Sequence, residues 1–225
     1  MPASSRLRVD RPFSLTVLAG VNGAGKSSVG GAHLRQLGGV YFNPDEAARR
    51  ARELSPTLSE TEANSYGWNQ GRRLLESAIA ARVDFAFETT LGGNTITALL
   101  IDAAQKRARL NVWYVGLASV ELHLQRVAAR VEKGGHPIPE ADVRRRWTSS
   151  MLNLIKLAPH VSRLRVYDNS AEANPALGQP PEPRLILSVE GRQIVFPGKQ
   201  DFGSTPAWAK PIVASAWREF GRSPR

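Results

Sequence analysis

Gly20-Val21-Asn22-Gly23-Ala24-Gly25-Lys26-Ser27 is the stretch that decides the fold. It matches G-x-x-x-x-G-K-[ST], it follows the apolar run 14–20 (SLTVLAG), and it opens a segment of helical composition, 26–36. Strand, glycine-rich turn and helix in that order are the context a phosphate-binding loop requires. The glycines let the backbone wrap a polyphosphate with its N–H groups turned inward. Lys26 then reaches the β- and γ-phosphates, and the Ser27 hydroxyl completes a Mg²⁺ shell. The helix behind the loop adds its N-terminal dipole to the same anion. Gly20 through Ser28 are therefore the expected contacts of a nucleoside triphosphate bound with Mg²⁺.

Outward from this loop, further β-branched or aromatic runs fall at 40–42 (VYF), 84–90 (DFAFETT), 110–117 (LNVWYVGL) and 163–168 (RLRVYD). Helical compositions separate them at 45–54, 60–82, 95–108, 119–133 and 140–156. Alternating strands and helices predict an α/β domain, a parallel sheet covered on both faces, with the nearly all-apolar first strand at its centre. This main domain is expected over 1–170. Beyond it, 171–184 (AEANPALGQPPEPR) holds four prolines and reads as a linker or surface loop. The runs 185–189 and 193–196, split by Glu190-Gly191-Arg192, read as a β-hairpin, and 206–220 as a last helix. The segment 171–225 is too small to bury a core alone and is expected to pack on the same domain.

Composition narrows the chemistry. The chain has 225 residues and no cysteine, which excludes a disulfide scaffold, a zinc–thiolate site, an iron–sulfur cluster and a cysteine nucleophile. His33, His123, His136 and His160 form no metal-ligand spacing. No apolar run approaches the roughly 20 residues that span a bilayer, and the basic N-terminal stretch lacks the apolar segment of a secretory signal. A cytoplasmic protein without membrane partners is the expectation. The net charge is +10, with 24 arginines among 30 basic residues. Arginine suits anionic partners such as nucleotides or nucleic acid, although genome composition produces the same bias.

The class of phosphate-loop protein follows by elimination. The chain shows no Asn-Lys-x-Asp guanine motif, no Leu-Ser-Gly-Gly-Gln signature, and no hydrophobic run ending in paired acids. The nucleoside- and small-molecule-kinase branch remains; it needs an acceptor site across the sheet and an arginine-bearing lid. Asn43-Pro44-Asp45 places a carboxylate just past the second strand, about 20 residues beyond Lys26, in the crevice at the strand ends. Asp45 there is either a base for an acceptor hydroxyl or a cap for the helix that follows. The third strand ends Phe87-Glu88-Thr89-Thr90, and Glu88 either holds Mg²⁺ through water or takes substrate hydroxyls with Thr90. Arg126 and Arg130 lie four apart on one helix face, Gly134-Gly135 ends that helix, and Arg144-Arg145-Arg146 follow on the next. Arginines from two helices thus converge on one hinge, the arrangement that neutralises a transferring phosphoryl group.

With these residues assembled, the chain resembles the zeta toxin family of phosphate-loop kinases, in particular the bacterial branch of predicted ABC-type ATPases or zeta toxin domain proteins. The matching pieces are Gly20 to Ser28, Asn43-Pro44-Asp45, Phe87 to Leu91, Arg130-Val-x-x-Gly-Gly-His136-x-Ile-Pro139, Arg145-Arg146-Trp147 and Tyr167-Asp168-Asn169-Ser170, covering about 14–170 in order. The resemblance implies a three-layer P-loop kinase fold with strand order 2-3-1-4-5, to which the C-terminal hairpin and helix are an appendage. It also implies ATP-dependent phosphorylation of the 3′-hydroxyl of UDP-N-acetylglucosamine or a related sugar nucleotide. In the family's toxins this starves cell-wall synthesis, and a small antitoxin, expected here as a separate chain, blocks the nucleotide site. Carried over residue by residue, Lys26 and Ser27 hold ATP and Mg²⁺, and Asp45 is the base. Asn43, Glu88, Thr89, Thr90 and His136 fall on the sugar-nucleotide side, and Asp168 and Asn169 line the adenine side. Arg130 and one of Arg144 to Arg146, with Arg145 preferred, stabilise the phosphoryl group.

Two other classes compete. A polynucleotide 5′-hydroxyl kinase fits the basic charge, but single-strand binders interleave aromatics along a basic groove, and the lid basics here come only with Trp147. Nucleic acid is thus not expected, though the charge does not exclude it. A regulatory ATPase without toxin activity predicts that Asp45→Asn leaves ATP turnover unchanged.

Overall fold

The structure, a computed structural model, describes residues 12–31, 34, 41–171 and 182–221. Val40 and His33 lie outside these, as do most of the expected helix 26–36 beyond Gly31 and most of the linker 171–184.

Strand β1 (Ser14–Ala19) is apolar because both its faces are covered. Leu15, Val17 and Ala19 point into one cluster, and Leu18 points into a second with Ala24, Leu34 and Val115. That alternation is the two-residue period of a pleated strand. On one side β1 pairs with β3 (Phe85–Thr89), whose outer neighbour is β2 (Tyr41–Phe42). On the other it pairs with β4 (Arg109–Gly116), which is followed by β5 (Arg163–Asp168). These five are parallel, in the expected order 2-3-1-4-5. The hairpin, β6 (Arg184–Glu190) and β7 (Gln193–Phe196), extends the β5 edge antiparallel, giving the order β2-β3-β1-β4-β5-β6-β7 among the described residues.

Helices α1 (Pro44–Leu54), α2 (Glu60–Ala81), α3 (Asn94–Gln105), α4 (Val120–Glu132) and α5 (Glu140–Leu157) occupy the predicted stretches within a few residues. Local chemistry sets where they begin. The Asn43 side chain accepts from the amides of Asp45 (2.9 Å) and Glu46 (3.3 Å), Ser59 and Glu62 form a reciprocal capping box, and the Ser119 hydroxyl accepts from Leu122 N (3.2 Å). The turn after the phosphate loop departs from expectation, running as a π-helical segment over Ser27–Gly31.

Helix α2 crosses α1 at a glycine. A Cβ on Gly67 would stand 2.4 Å from the Pro44 carbonyl oxygen, so only glycine lets α2 approach the start of α1 this closely. This contact fixes the turn that carries Asp45.

The C-terminal segment completes the main core. Ile186, Leu187, Val189, Trp208 and helix α6 (Lys210–Phe220), through Ile212 and Val213, join the cluster of Leu15, Leu100 and Leu154. The Trp208 ring lies 6.4 Å from that of Tyr114. Among the described residues no helix is long and apolar enough to cross a membrane.

Candidate active site

The carboxyl ends of β1, β2 and β3 open into a cavity of about 390 Å³. Asn22 and Lys26 line it from the phosphate loop, Asn43 and Asp45 from the start of α1, Glu88 to Thr90 from the end of β3, and His136, Asp142 and Arg146 from the lid. Crossover topology forces this convergence, since parallel strands deliver their following loops to one edge.

The phosphate loop is held from behind. Gly23 has φ of +83°, and a Cβ there would meet the His123 carbonyl oxygen at 2.7 Å, so the loop is both left-handed and pressed against α4. The His123 ring is 1% exposed, and its Nδ1 lies 2.8 Å from the Asn22 carbonyl oxygen. Because a carbonyl only accepts, Nδ1 carries the proton and donates it to the loop. Burial, reinforced by the positive charges of Lys26 and Arg126, pushes the His123 pKa down to about 4 against the opposing effect of the Asn22 bond, keeping the ring neutral near pH 7. The Asn169 amide donates to the Ala24 carbonyl (2.9 Å), while the Asp168 carboxylate is engaged by the Ser170 amide (3.0 Å) and hydroxyl. Thus Asn169 braces the loop and Asp168 is tied to its own turn. Val21 and Ala24 are buried, and Ser28 donates its amide to the Gly25 carbonyl (3.1 Å).

Glu88 is buried at the end of β3, beside Leu18 of β1. Its Oε1 accepts from the Ser27 hydroxyl (2.8 Å) and from the Tyr41 hydroxyl. A hydroxyl and a carboxylate this close offer two hard oxygen ligands, and among the described residues no group of three or more His, Asp or Glu forms a cage. Such a pair suits Mg²⁺, which is usually held by one or two side chains with phosphate oxygens and water completing its octahedron. The residues present therefore fit the ion.

Asp45 sits at the second position of α1, where Asn43 does the capping, so its carboxylate is not spent on the helix end. It is 48% exposed and faces Arg130 Nη1 and His136 Nε2, each at 3.9 Å. Arg130 is oriented by donating Nη2 to the His136 carbonyl (2.9 Å), while its Nε and His136 Nε2 are buried without hydrogen-bond partners. Arg126 points elsewhere, toward the Ala171 carbonyl (3.3 Å).

The three consecutive arginines of α5 separate by helix phase. Arg144 pairs with Glu140 one turn back on its own helix (2.7 Å) and with Glu121 on α4 (3.1 Å). Arg145, preferred on sequence as the second lid arginine, is 68% exposed, pairs with Asp142 at 2.9 Å and does not line the cavity. Arg146 does: it donates Nη1 to the Asn22 side chain (2.9 Å) and Nη2 to Asp142 (3.2 Å). The two side chains are one residue apart, about 100° of helix rotation.

Several contributors carry no motif. Below Arg146, α5 turns Ser149, Ser150 and Asn153 onto the loop after β3. Ser149 donates to the Gly92 carbonyl (2.9 Å), Ser150 to Thr90 (2.7 Å), and the Asn153 amide to Leu91 (2.9 Å) and Gly93 (3.2 Å). Tyr114 donates to Ser150 (3.1 Å), its own pKa pushed up to about 12 by burial. The Thr89 and Thr90 hydroxyls accept from Leu91 N (3.0 Å) and Gly92 N (3.3 Å), folding the loop on itself. Across the cavity, α2 contributes Thr61, Asn64, Ser65 and Trp68. Their only signal in the sequence is the i, i+3, i+4, i+7 spacing of one helix face.

A central parallel sheet, a G-x-x-x-x-G-K-S loop at its carboxyl edge and a buried acid beside the loop serine define a P-loop nucleotide-binding protein of kinase-like fold. Residues 15–150 match the AAA domain family (AAA_33), and the chain belongs to it. It is 30% identical over 131 residues to an uncharacterized protein of Haemophilus influenzae, covering 57% of this chain and 88% of that one. Among solved structures, a chain of the AvrRxo1-ORF1:AvrRxo1-ORF2 complex superposes with TM-score 0.64 at 15% identity over 92% of this chain and 71% of its own. In the form with ATP the score is 0.62, and this chain spans 65% of the matched chain's length. A structure of the PezAT chromosomal toxin–antitoxin system of Streptococcus pneumoniae matches with TM-score 0.52 at 13% identity, covering 71% of this chain and 68% of its own. At these identities the likeness is one of fold.

Proposed function

We propose that the protein is an ATP-dependent kinase that phosphorylates a hydroxyl of a sugar nucleotide, the 3′-hydroxyl of UDP-N-acetylglucosamine first among them, with Asp45 as the base. One observation carries this reading: Asp45 is released from capping by Asn43 and stands in the same cavity as Lys26 and Glu88, flanked by two lid side chains at 3.9 Å. A carboxylate so placed accepts the acceptor proton as the oxygen attacks Pγ. The new O–Pγ bond forms, the β–γ bridging bond breaks and ADP leaves. Lys26 and the loop amides bind the phosphates, and Arg130 and Arg146 offset charge on the group in transit. Mg²⁺, held by Ser27 and Glu88, would neutralise the β- and γ-phosphates. The solved relative bound to ATP supports the donor. The PezAT toxin–antitoxin structure supports a toxin role with a separate antitoxin chain.

The test is transfer from γ-labelled ATP to UDP-N-acetylglucosamine, other UDP- and GDP-sugars and 5′-hydroxyl oligonucleotides, with Lys26→Ala as blank. Label is expected on a UDP-sugar, falling about 10²–10⁴-fold in Asp45→Ala. Label only on oligonucleotides would move the activity to nucleic-acid ends, the reading that the +10 charge favours. Phosphate release with no labelled acceptor would overturn the sugar-kinase reading.

A further inference from the structure

Helix α2 turns one face, Thr61, Asn64, Ser65 and Trp68, into the cavity. Trp68 is 46% exposed. Its indole is backed by the Arg72 guanidinium at 5.9 Å from the ring centroid, and Arg72 is itself held by Glu76 at 2.6 Å. The ring is therefore supported by charge on a rigid helix and offers its remaining surface to the cavity. Around it stand an amide, which both donates and accepts, and two hydroxyls. A flat π-surface beside a bifunctional amide suits a planar heteroaromatic ring with hydrogen-bonding edges.

The position also carries information. Trp68 follows Gly67, whose approach to the Pro44 carbonyl locks α2 to the turn bearing Asp45. A ring docked on Trp68 is thus held in fixed register with that carboxylate, and remote binding is converted into orientation at the reacting hydroxyl.

We propose that the α2 face is the base-binding subsite of the acceptor, so that the acceptor is a nucleotide whose base stacks on Trp68 and whose edge is read by Asn64. This rests on the cavity being the acceptor site, as argued above. The other exposed aromatic of α2, Tyr66, lies on a separate groove against α1 and takes no part.

The test has a binding arm that needs no turnover. With the phosphate loop saturated by a non-hydrolysable ATP analogue, UMP and GMP are titrated by isothermal calorimetry into wild type, Trp68→Phe and Trp68→Ala. Saturable binding is expected in wild type, with affinity kept within about threefold in Trp68→Phe and weakened by about 5- to 150-fold in Trp68→Ala, the range for one stacked base. N-acetylglucosamine 1-phosphate, which has no base, should bind all three forms alike. In the transfer arm the loss in Trp68→Ala falls on acceptor KM while ATP KM holds. Absence of saturable binding by both mononucleotides, or equal affinity in Trp68→Ala, overturns the subsite even if a sugar nucleotide is phosphorylated. Trp68-dependent binding without transfer to any acceptor sustains the subsite and overturns the kinase reading instead.

Discussion

Asn153→Ala is the substitution whose cost follows most directly from the structure. Asn153 is 2% exposed, and its amide donates to the carbonyls of Leu91 (2.9 Å) and Gly93 (3.2 Å). Leu91 is buried with φ of +54°, a left-handed conformation that costs a residue with a Cβ about 1–2 kcal/mol and persists only where its surroundings impose it. Alanine would leave the Leu91 carbonyl in the core without this donor, at about 1–3 kcal/mol, whereas the exposed Gly93 carbonyl keeps the Thr97 hydroxyl at 3.4 Å. For a chain of this size each kcal/mol moves Tm by about 2–4 °C, so a fall of about 2–12 °C is expected by calorimetry. Asn153→Asp keeps the shape but turns a buried carboxylate on two carbonyls, and should be the worse of the two. Since the same loop carries Thr90 into the cavity, acceptor KM should rise while ATP affinity holds. A melting point within about 2 °C of wild type, or an Asp variant more stable than the Ala variant, would refute the assignment of this amide as the clamp of the loop.

Two further expectations concern the nucleotide side. His123 is held at a pKa of about 4 against 6.5 when unfolded, so between these values the unfolded chain binds the extra proton. Its contribution is complete above pH 6.5 and is lost as pH falls toward 4, by roughly 3 kcal/mol in all. His123→Gln should flatten the pH dependence of Tm across that window, and an unchanged profile would sink the idea. Arg146→Ala should lower phosphoryl transfer by about 10²–10³-fold, whereas Arg145→Ala breaks only an exposed ion pair and should stay within about threefold. The reverse ranking in the labelled-ATP assay would contradict the helix phase.

Local rules carried the reading far where neighbours in sequence are also partners in space. The phosphate loop was legible because strand, glycines, lysine and serine act within fourteen residues, and the helix ends because their caps lie within three. Asp45 and Glu88 were legible as candidates because strand ends in a parallel sheet share one edge. Asp45 left two roles open, base or cap, and the hydrogen bonds of Asn43 decide which residue caps. The lid arginines were legible only as a group, since three adjacent basics on a helix point about 100° apart and sequence alone does not give the phase.

By itself, then, the sequence determined the order of strands and helices, the chemistry of the phosphate loop and the set of acids and arginines available to it. These depend on backbone period, turn conformation and residue type, all of which are short-range. The tertiary structure decided which arginine meets Asn22 from 124 positions away, that His123 lies under the loop, that Asn153 clamps the turn after β3, and that α2 brings Trp68 into the cavity. Each is a contact between elements distant in the chain, fixed by how helices pack on the sheet, and no local propensity encodes it.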